Sequence, residues 1–178
     1  MAVPLGSYFD IMDAPLMLRY KGVFDFDGLY KMMHAWLISK RFEFHETNYK
    51  DKVSTPFGNE LEVKWTGEKK VNEFVKQKIV IEFHLWDFAE VEVIKDGRKM
   101  KMTKSRMEIK FTPSLLLDYN EKFTKGNGFE KALGRFYVDK VIYWDWQFKY
   151  AGNLESATYD LHTRVKKYLN LDSAFNAY

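Results

Sequence analysis

Cysteine is absent from all 178 residues. That excludes disulfides, thiolate nucleophiles and every zinc site built on sulfur, and it fits a reducing compartment. Proline is scarce, with four residues, and no tract is rich in Pro, Gly or Ser, which argues against long linkers and extended disorder. No apolar run approaches the roughly 20 residues that a membrane helix needs. The first residues carry Asp10 and Asp13 and no basic cluster, unlike a signal peptide. A soluble cytoplasmic chain is expected. There is no phosphate-binding loop, no GxGxxG, GxSxG or HExxH pattern, and no serine set beside a plausible base. An enzyme is therefore not the first expectation, and no cofactor or metal is called for. The four histidines, His34, His45, His84 and His162, have no spacing that compels a metal site, so each is expected to be structural.

Hydrophobic residues make up 46% of the chain and aromatics 17%, enough for one buried core and too little length for two, so a single domain over 1–178 is expected. Residues 1–15 read as an N-terminal arm and 171–178 as a C-terminal tail. The strongest local signal lies between Phe74 and Thr112. Asp96-Gly97 between alternating strands specifies a two-residue turn with positive φ at both positions, which fixes a hairpin register. Counting outward pairs Ile94 with Lys99, Val93 with Met100, Glu92 with Lys101 and Val91 with Met102. Further out this register would set Leu85 against Glu108. One extra residue near Trp86-Asp87-Phe88, a β-bulge, restores agreement: Leu85 with Met107, Phe83 with Ile109, Ile81 with Phe111, His84 with Glu108 and Glu82 with Lys110. In the unbulged strand the apolar positions then switch from even (Met100, Met102) to odd (Met107, Ile109, Phe111). The apolar face changes sides between tip and base.

Elsewhere the pattern predicts a strand over Leu16–Val23, then a helix from Asp27, which caps it, to about Arg41 on the stripe Leu29, Met33, Trp36 and Leu37. Phe42 and Phe44 open another strand, residues 48–59 read as a loop or a ragged edge, and Leu61, Val63 and Trp65 mark a third strand. Leu115 to Tyr119 suggests one more. After Lys125-Gly126-Asn127-Gly128 the stripe Phe129, Leu133, Phe136, Tyr137, Val141 and Trp144 predicts a core-facing helix to about Trp146, although residues 142–150 also alternate as a strand would. Gly152-Asn153 then offers a break before a last helix. Trp36, Trp65, Trp86, Trp144 and Trp146 are all expected at or near buried positions. The fold class expected is α+β: a curved, mostly antiparallel sheet with a long bulged hairpin, one N-terminal helix and two C-terminal helices packed on it.

Six bases, Lys95, Arg98, Lys99, Lys101, Lys104 and Arg106, face one acid between residues 95 and 106, a local +5 in a chain of net +3. A basic tip suits an anionic partner, although lysines also blunt an exposed sheet edge against aggregation. With no aromatic residue from Lys95 to Lys110, nucleic-acid binding would rest on phosphate contacts alone and is not favoured. Glu60-Leu61-Glu62-Val63-Lys64 places three charges on one strand face and resembles the ExExK motif of the triphosphate tunnel enzymes. That resemblance implies a metal-dependent phosphohydrolase with Glu60, Glu62 and Lys64 pointing inward. The element order is also similar to helix-grip folds, which implies an apolar-ligand pocket lined by Ile81, Phe83, Ile109, Phe136 and Trp144. The leading expectation is a non-enzymatic interaction or self-assembly protein. Its apolar hairpin face, Val91, Val93, Met100 and Met102, its basic tip and its terminal arms would contact other copies or an anionic partner.

Overall fold

The computed structural model describes residues 3–55, 58–95 and 98–171. The Asp96-Gly97 turn and residues 172–178 lie outside that set, as do the side chains of residues 52–55, Lys95 and Arg98. The architecture is α+β, a six-stranded antiparallel sheet that does not close. Its strands are β1 (Tyr8–Asp10), β2 (Leu16–Phe24), β3 (Glu43–Thr55), β4 (Gly58–Lys70), β5 (Val75–Lys95) and β6 (Arg98–Leu117), with α1 (Phe26–Ser39) between β2 and β3. The spatial order is β1-β6-β5-β4-β3, and β2 also pairs with β6, further along the same edge.

The long hairpin adopts the register read from the sequence. Ile94 pairs with Lys99, Val93 with Met100, Val91 with Met102, Leu85 with Met107 and Ile81 with Phe111, and the register shifts between Trp86 and Ala89. Asp87 carries the bulge at φ +54°, in the left-handed region. Residues 115–117, expected as a separate strand, continue β6 instead. Pro113 sits within it, opposite Ile79, where the outer edge of β6 passes from β2, last paired at Phe111, to β1, first paired at Ser114. A proline lacks the donor a ladder needs, and this changeover is where the omission is tolerated. Its carbonyl still accepts from Ile11 N at 3.1 Å.

One sheet face is buried. Leu61, Val63, Trp65, Ile79, Ile81, Phe83, Leu85, Met107, Ile109 and Phe111 meet Leu29, Met33 and Leu37 of α1 and Leu161 and Val165 of the last helix. Each contributes about 1.5–3 kcal/mol by leaving water. Asp25, not Asp27, caps α1: its Oδ1 accepts from Gly28 N at 2.8 Å. Residues 48–55, expected as a loop or a ragged edge, are edge strand, bulged between Glu46 and Asn48 and again between Lys52 and Thr55. Their polarity is that of an edge strand. The N-terminal arm is tied to its own domain: β1 pairs with β6, and Val3, Leu5, Phe9 and Ile11 pack on the core.

The C-terminal third departs most from expectation. α2 (Gly128–Phe136) is followed by two π-helical turns, Tyr137–Val141 and Asp145–Ala151, and then by α3 (Gly152–Tyr168). The break falls at Ile142, and Gly152-Asn153 continues helically out of the second π turn. The predicted stripe faces outward: Phe129, Leu133, Phe136, Val141 and Trp144 are exposed. The inward stripe is instead Gly134, Val138, Ile142, Trp146, Tyr150, Leu154 and Thr158, a strict spacing of four. An α-helix turns every 3.6 residues and lets a four-residue repeat drift round its surface; the wider π turns cancel that drift. Gly134 permits the first contact of the series, since a Cβ there would stand 2.6 Å from the Phe123 side chain.

Candidate functional site

The sheet face away from the helices is polar and open. Across it run Glu62, His84, Glu108 and Arg19 in one register row, and Asn48, Lys64, Glu82 and Lys110 in the next. Strand alternation sends every second residue there, so Glu60, Glu62 and Lys64 share this face, but the sheet is open and they do not point into a tunnel as the motif required. Most of the charges pair across strands. Lys64 Nζ lies 2.7 Å from Glu82, and Glu108 takes Arg19 Nε at 2.7 Å and Lys110 Nζ at 3.1 Å. The Arg19 hydrogen bond, with Lys110 beside it, holds the Glu108 carboxyl below the usual range.

His84 has the register predicted against Glu108 but turns toward β4. Its Nε2 stands 3.8 Å from Glu60 Oε2 and 3.9 Å from Glu62 Oε1, and the three groups hold ligand atoms within 4.8 Å of one another. Its ring stacks on Trp86 with centroids 3.9 Å apart. Beside it a recess of about 190 Å³ is lined by Asn48, Glu62, Lys64, Glu108 and Lys110. Sequence reasoning saw the two glutamates and missed the imidazole, because the β4–β5 register that joins them has no turn signature.

The hairpin tip is a free two-stranded ribbon. β4 leaves β5 at Leu85 and β2 leaves β6 at Thr103, so among the described residues 91–95 and 98–102 pair only with each other. In the regular strand β6, Met100 and Met102 stand on the side opposite Met107 and Ile109, the predicted change of face. Val91, Val93, Met100 and Met102 do not join the core. Met100, 42% exposed, and Met102 instead form one wall of a groove of about 330 Å³ whose other wall is Val23, Phe24, Tyr168 and Leu169. The basic character of the tip is smaller than residues 95–106 suggest, because the partner strand brings acids: Lys99 pairs with Glu92, Lys101 with Glu90 and Arg106 with Asp87.

The five residues expected to line a ligand pocket are not brought together. Ile81, Phe83 and Ile109 are sealed in the core, with Phe83 ringed by Phe26 and Trp65, while Phe136 and Trp144 are 59% and 68% exposed on the outside of the helices. Of the five tryptophans, Trp144 is the clear departure from the buried positions expected. It stacks with exposed Phe148 at 5.2 Å. Phe129, 76% exposed, and Leu133 stand two turns and one turn before Phe136 on α2. These outward aromatics escaped sequence reasoning, which took their helical spacing for a core face.

No family model matches the chain, and no curated protein matches its sequence. Among the described residues, no helix is long and apolar enough to cross a membrane.

Proposed function

We propose that this protein is a non-enzymatic assembly module whose copies join head to tail, the outward aromatics at the helical end of one entering the groove beside the hairpin tip of the next. The observation that carries this reading is the exposure of Phe129, Phe136, Trp144 and Phe148 within one short stretch of chain. Exposed large aromatics grouped this way are unusual on a solitary domain and typical of contact surfaces.

The second half of the contact is the Met100–Met102 groove, a mixed surface bordered also by Asp25 and Asn170, in which the two flexible methionines adapt to an inserted ring. The two surfaces lie at opposite ends of the hairpin. The helical end is held at its base by Gln77 Nε2 donating to Tyr150 O at 2.8 Å and by the Phe74–Tyr137 ring contact. From Val75 to Lys95 the strand runs on the order of 60 Å, so one copy does not satisfy itself. Knob and hole on different surfaces make a heterologous contact, which yields rings or filaments. The ion pairs within the ribbon favour an apolar partner over an anionic one, and the absence of cysteine suits a cytoplasmic setting.

Size-exclusion chromatography with light scattering tests this. The wild-type chain is expected to form concentration-dependent oligomers, and Trp144→Ser or Met102→Ser alone to block growth, weakening association at least about thirtyfold. An equimolar mixture of the two variants should stop at dimers, since each retains one intact surface. A monodisperse monomer at high concentration overturns the reading, and so does a dimer that both variants leave intact. Binding of a polyanion by the monomer would point to the basic tip instead.

A further inference from the structure

We propose that Glu60, Glu62 and His84 form a binding site for a first-row divalent transition-metal ion, with Zn²⁺ as the probe that suits it best. The site is independent of the assembly surfaces, on the open face of β4 and β5.

Two of its members are fixed by backbone register: Glu62 and His84 are direct cross-strand partners, and Glu60 lies two residues along β4 on the same face. Opposed side chains in such a pair hold their Cβ atoms about 4.5–5.5 Å apart, close enough to share one ion. The third consideration is the state of the imidazole. His84 Nε2 is sealed from solvent and has no hydrogen-bond partner, although it points at two carboxylates. Leaving such a group unsatisfied costs about 1–3 kcal/mol. Simple attraction between an imidazolium and a carboxylate would draw the atoms to about 2.8 Å. They instead stand 3.8 and 3.9 Å apart, with the ring held in place by Trp86. Ligands about 2.1 Å from a tetrahedral zinc lie about 3.4 Å from one another, so each imidazole–carboxylate distance needs to shorten by only a few tenths of an ångström.

The donor set selects the class of metal. Carboxylates alone suit Mg²⁺ and Ca²⁺, which take only oxygen ligands; an imidazole in the first coordination sphere shifts preference toward Zn²⁺ and its neighbours. Glu60 and Glu62 have other interactions as well, which would orient them as outer partners orient metal ligands generally. Three protein ligands leave a coordination position toward the recess bordered by Lys64 and Lys110, where water or a small anion completes the shell.

Isothermal titration calorimetry of Zn²⁺ into the full chain reads this out directly. The expected result is one saturable site per chain, weakened at least tenfold by His84→Gln and by Glu62→Gln and unchanged by His45→Gln, which alters an exposed histidine. Co²⁺ gives a second readout: its visible absorption should rise on binding and vanish in the same variants. Circular dichroism establishes that each variant is folded, and Glu60→Gln replaces any that is not. Absence of saturable binding, undiminished binding in the folded His84→Gln chain, or Mg²⁺ binding as tightly as Zn²⁺ overturns the assignment.

Discussion

Trp36 Nε1 donates a 2.8 Å hydrogen bond to Asp160 Oδ2, tying α1 to α3 across 124 positions of the chain. That bond is the main cause holding the Asp160 carboxyl below its ordinary range, with the Arg164 side chain adding to it. A carboxyl whose folded pKa is depressed stabilises the fold above its unfolded pKa, and the contribution is lost as pH falls through the folded value. Trp36→Phe is expected to lose about 1–2 kcal/mol at neutral pH. Asp160→Asn should shed part of the acid sensitivity. Urea unfolding at pH 7 and under acid conditions measures both.

Asp118, buried at φ +60°, closes the loop after β6. Its carboxylate accepts from the backbone N–H of Lys122, Phe123 and Thr124 at 2.9–3.0 Å. Asp118→Ala strands those donors and places alanine in a left-handed conformation, so a loss of about 3 kcal/mol is expected. Asp118→Asn should lose less, because one amide oxygen still accepts and Asn tolerates that backbone. Thermal melts of the two variants give the comparison.

The bulge residue Asp87 is in the left-handed region and its side chain pairs with Arg106 at 2.6 Å, half exposed. Asp87→Gly relieves the backbone and forfeits a surface pair of small value, leaving stability within about 0.5 kcal/mol. Asp87→Val, stiff and β-branched, should lose about 1–2 kcal/mol. Chemical denaturation separates the two outcomes.

Assembly through rings and methionines should persist, or strengthen, as sodium chloride is raised well past physiological levels, because screening acts on charges and not on apolar burial. Light scattering over a salt series checks this. Dissociation by salt would reassign the contact to Lys99, Lys101 and Lys104.

Burial, reinforced by a hydrogen bond to a carboxylate, pushes the phenols of Tyr30 (to Glu46) and Tyr168 (to Asp25) up to about 12; burial and Glu68 raise Tyr8 as well. A raised folded pKa means stability intact below the unfolded value near 10 and lost as pH climbs toward 12. An absorbance titration should find these tyrosines ionising late in the folded chain and together with the rest in urea.

The hairpin was legible because three signals agreed: a turn dipeptide with one geometry, alternation on both sides, and acid–base pairing that only one register satisfies. The Val91–Met102 and Leu85–Met107 pairs follow from counting. The helical third was not legible, because its inward stripe repeats every four residues. Phe129, Leu133 and Phe136 mimic an α-helical core face, while Gly134 and Val138, small and easily overlooked, do the packing. Asp25 and Asp27 are both competent caps by sequence, and the tertiary contacts around the first, Phe26 on Phe83 and Tyr168 Oη donating to Asp25, have no local signal. Of the Glu60–Glu62–His84 cluster, the two glutamates were visible as a pair; His84 joins them through a strand pairing that no local residue announces.

The bulge at Asp87 also divides the hairpin into two cooperative units. Below it, the amides of β5 and β6 are fenced by β4 and β2 and open only when the whole domain does. Beyond it β2 flanks only Lys104 and Thr103; past Glu90 no described strand borders the ribbon, which can open alone. Hydrogen exchange would therefore run at two rates along one continuous strand, fast in the tip and global in the base. Seating a second copy against Met100 and Met102 would slow the tip alone.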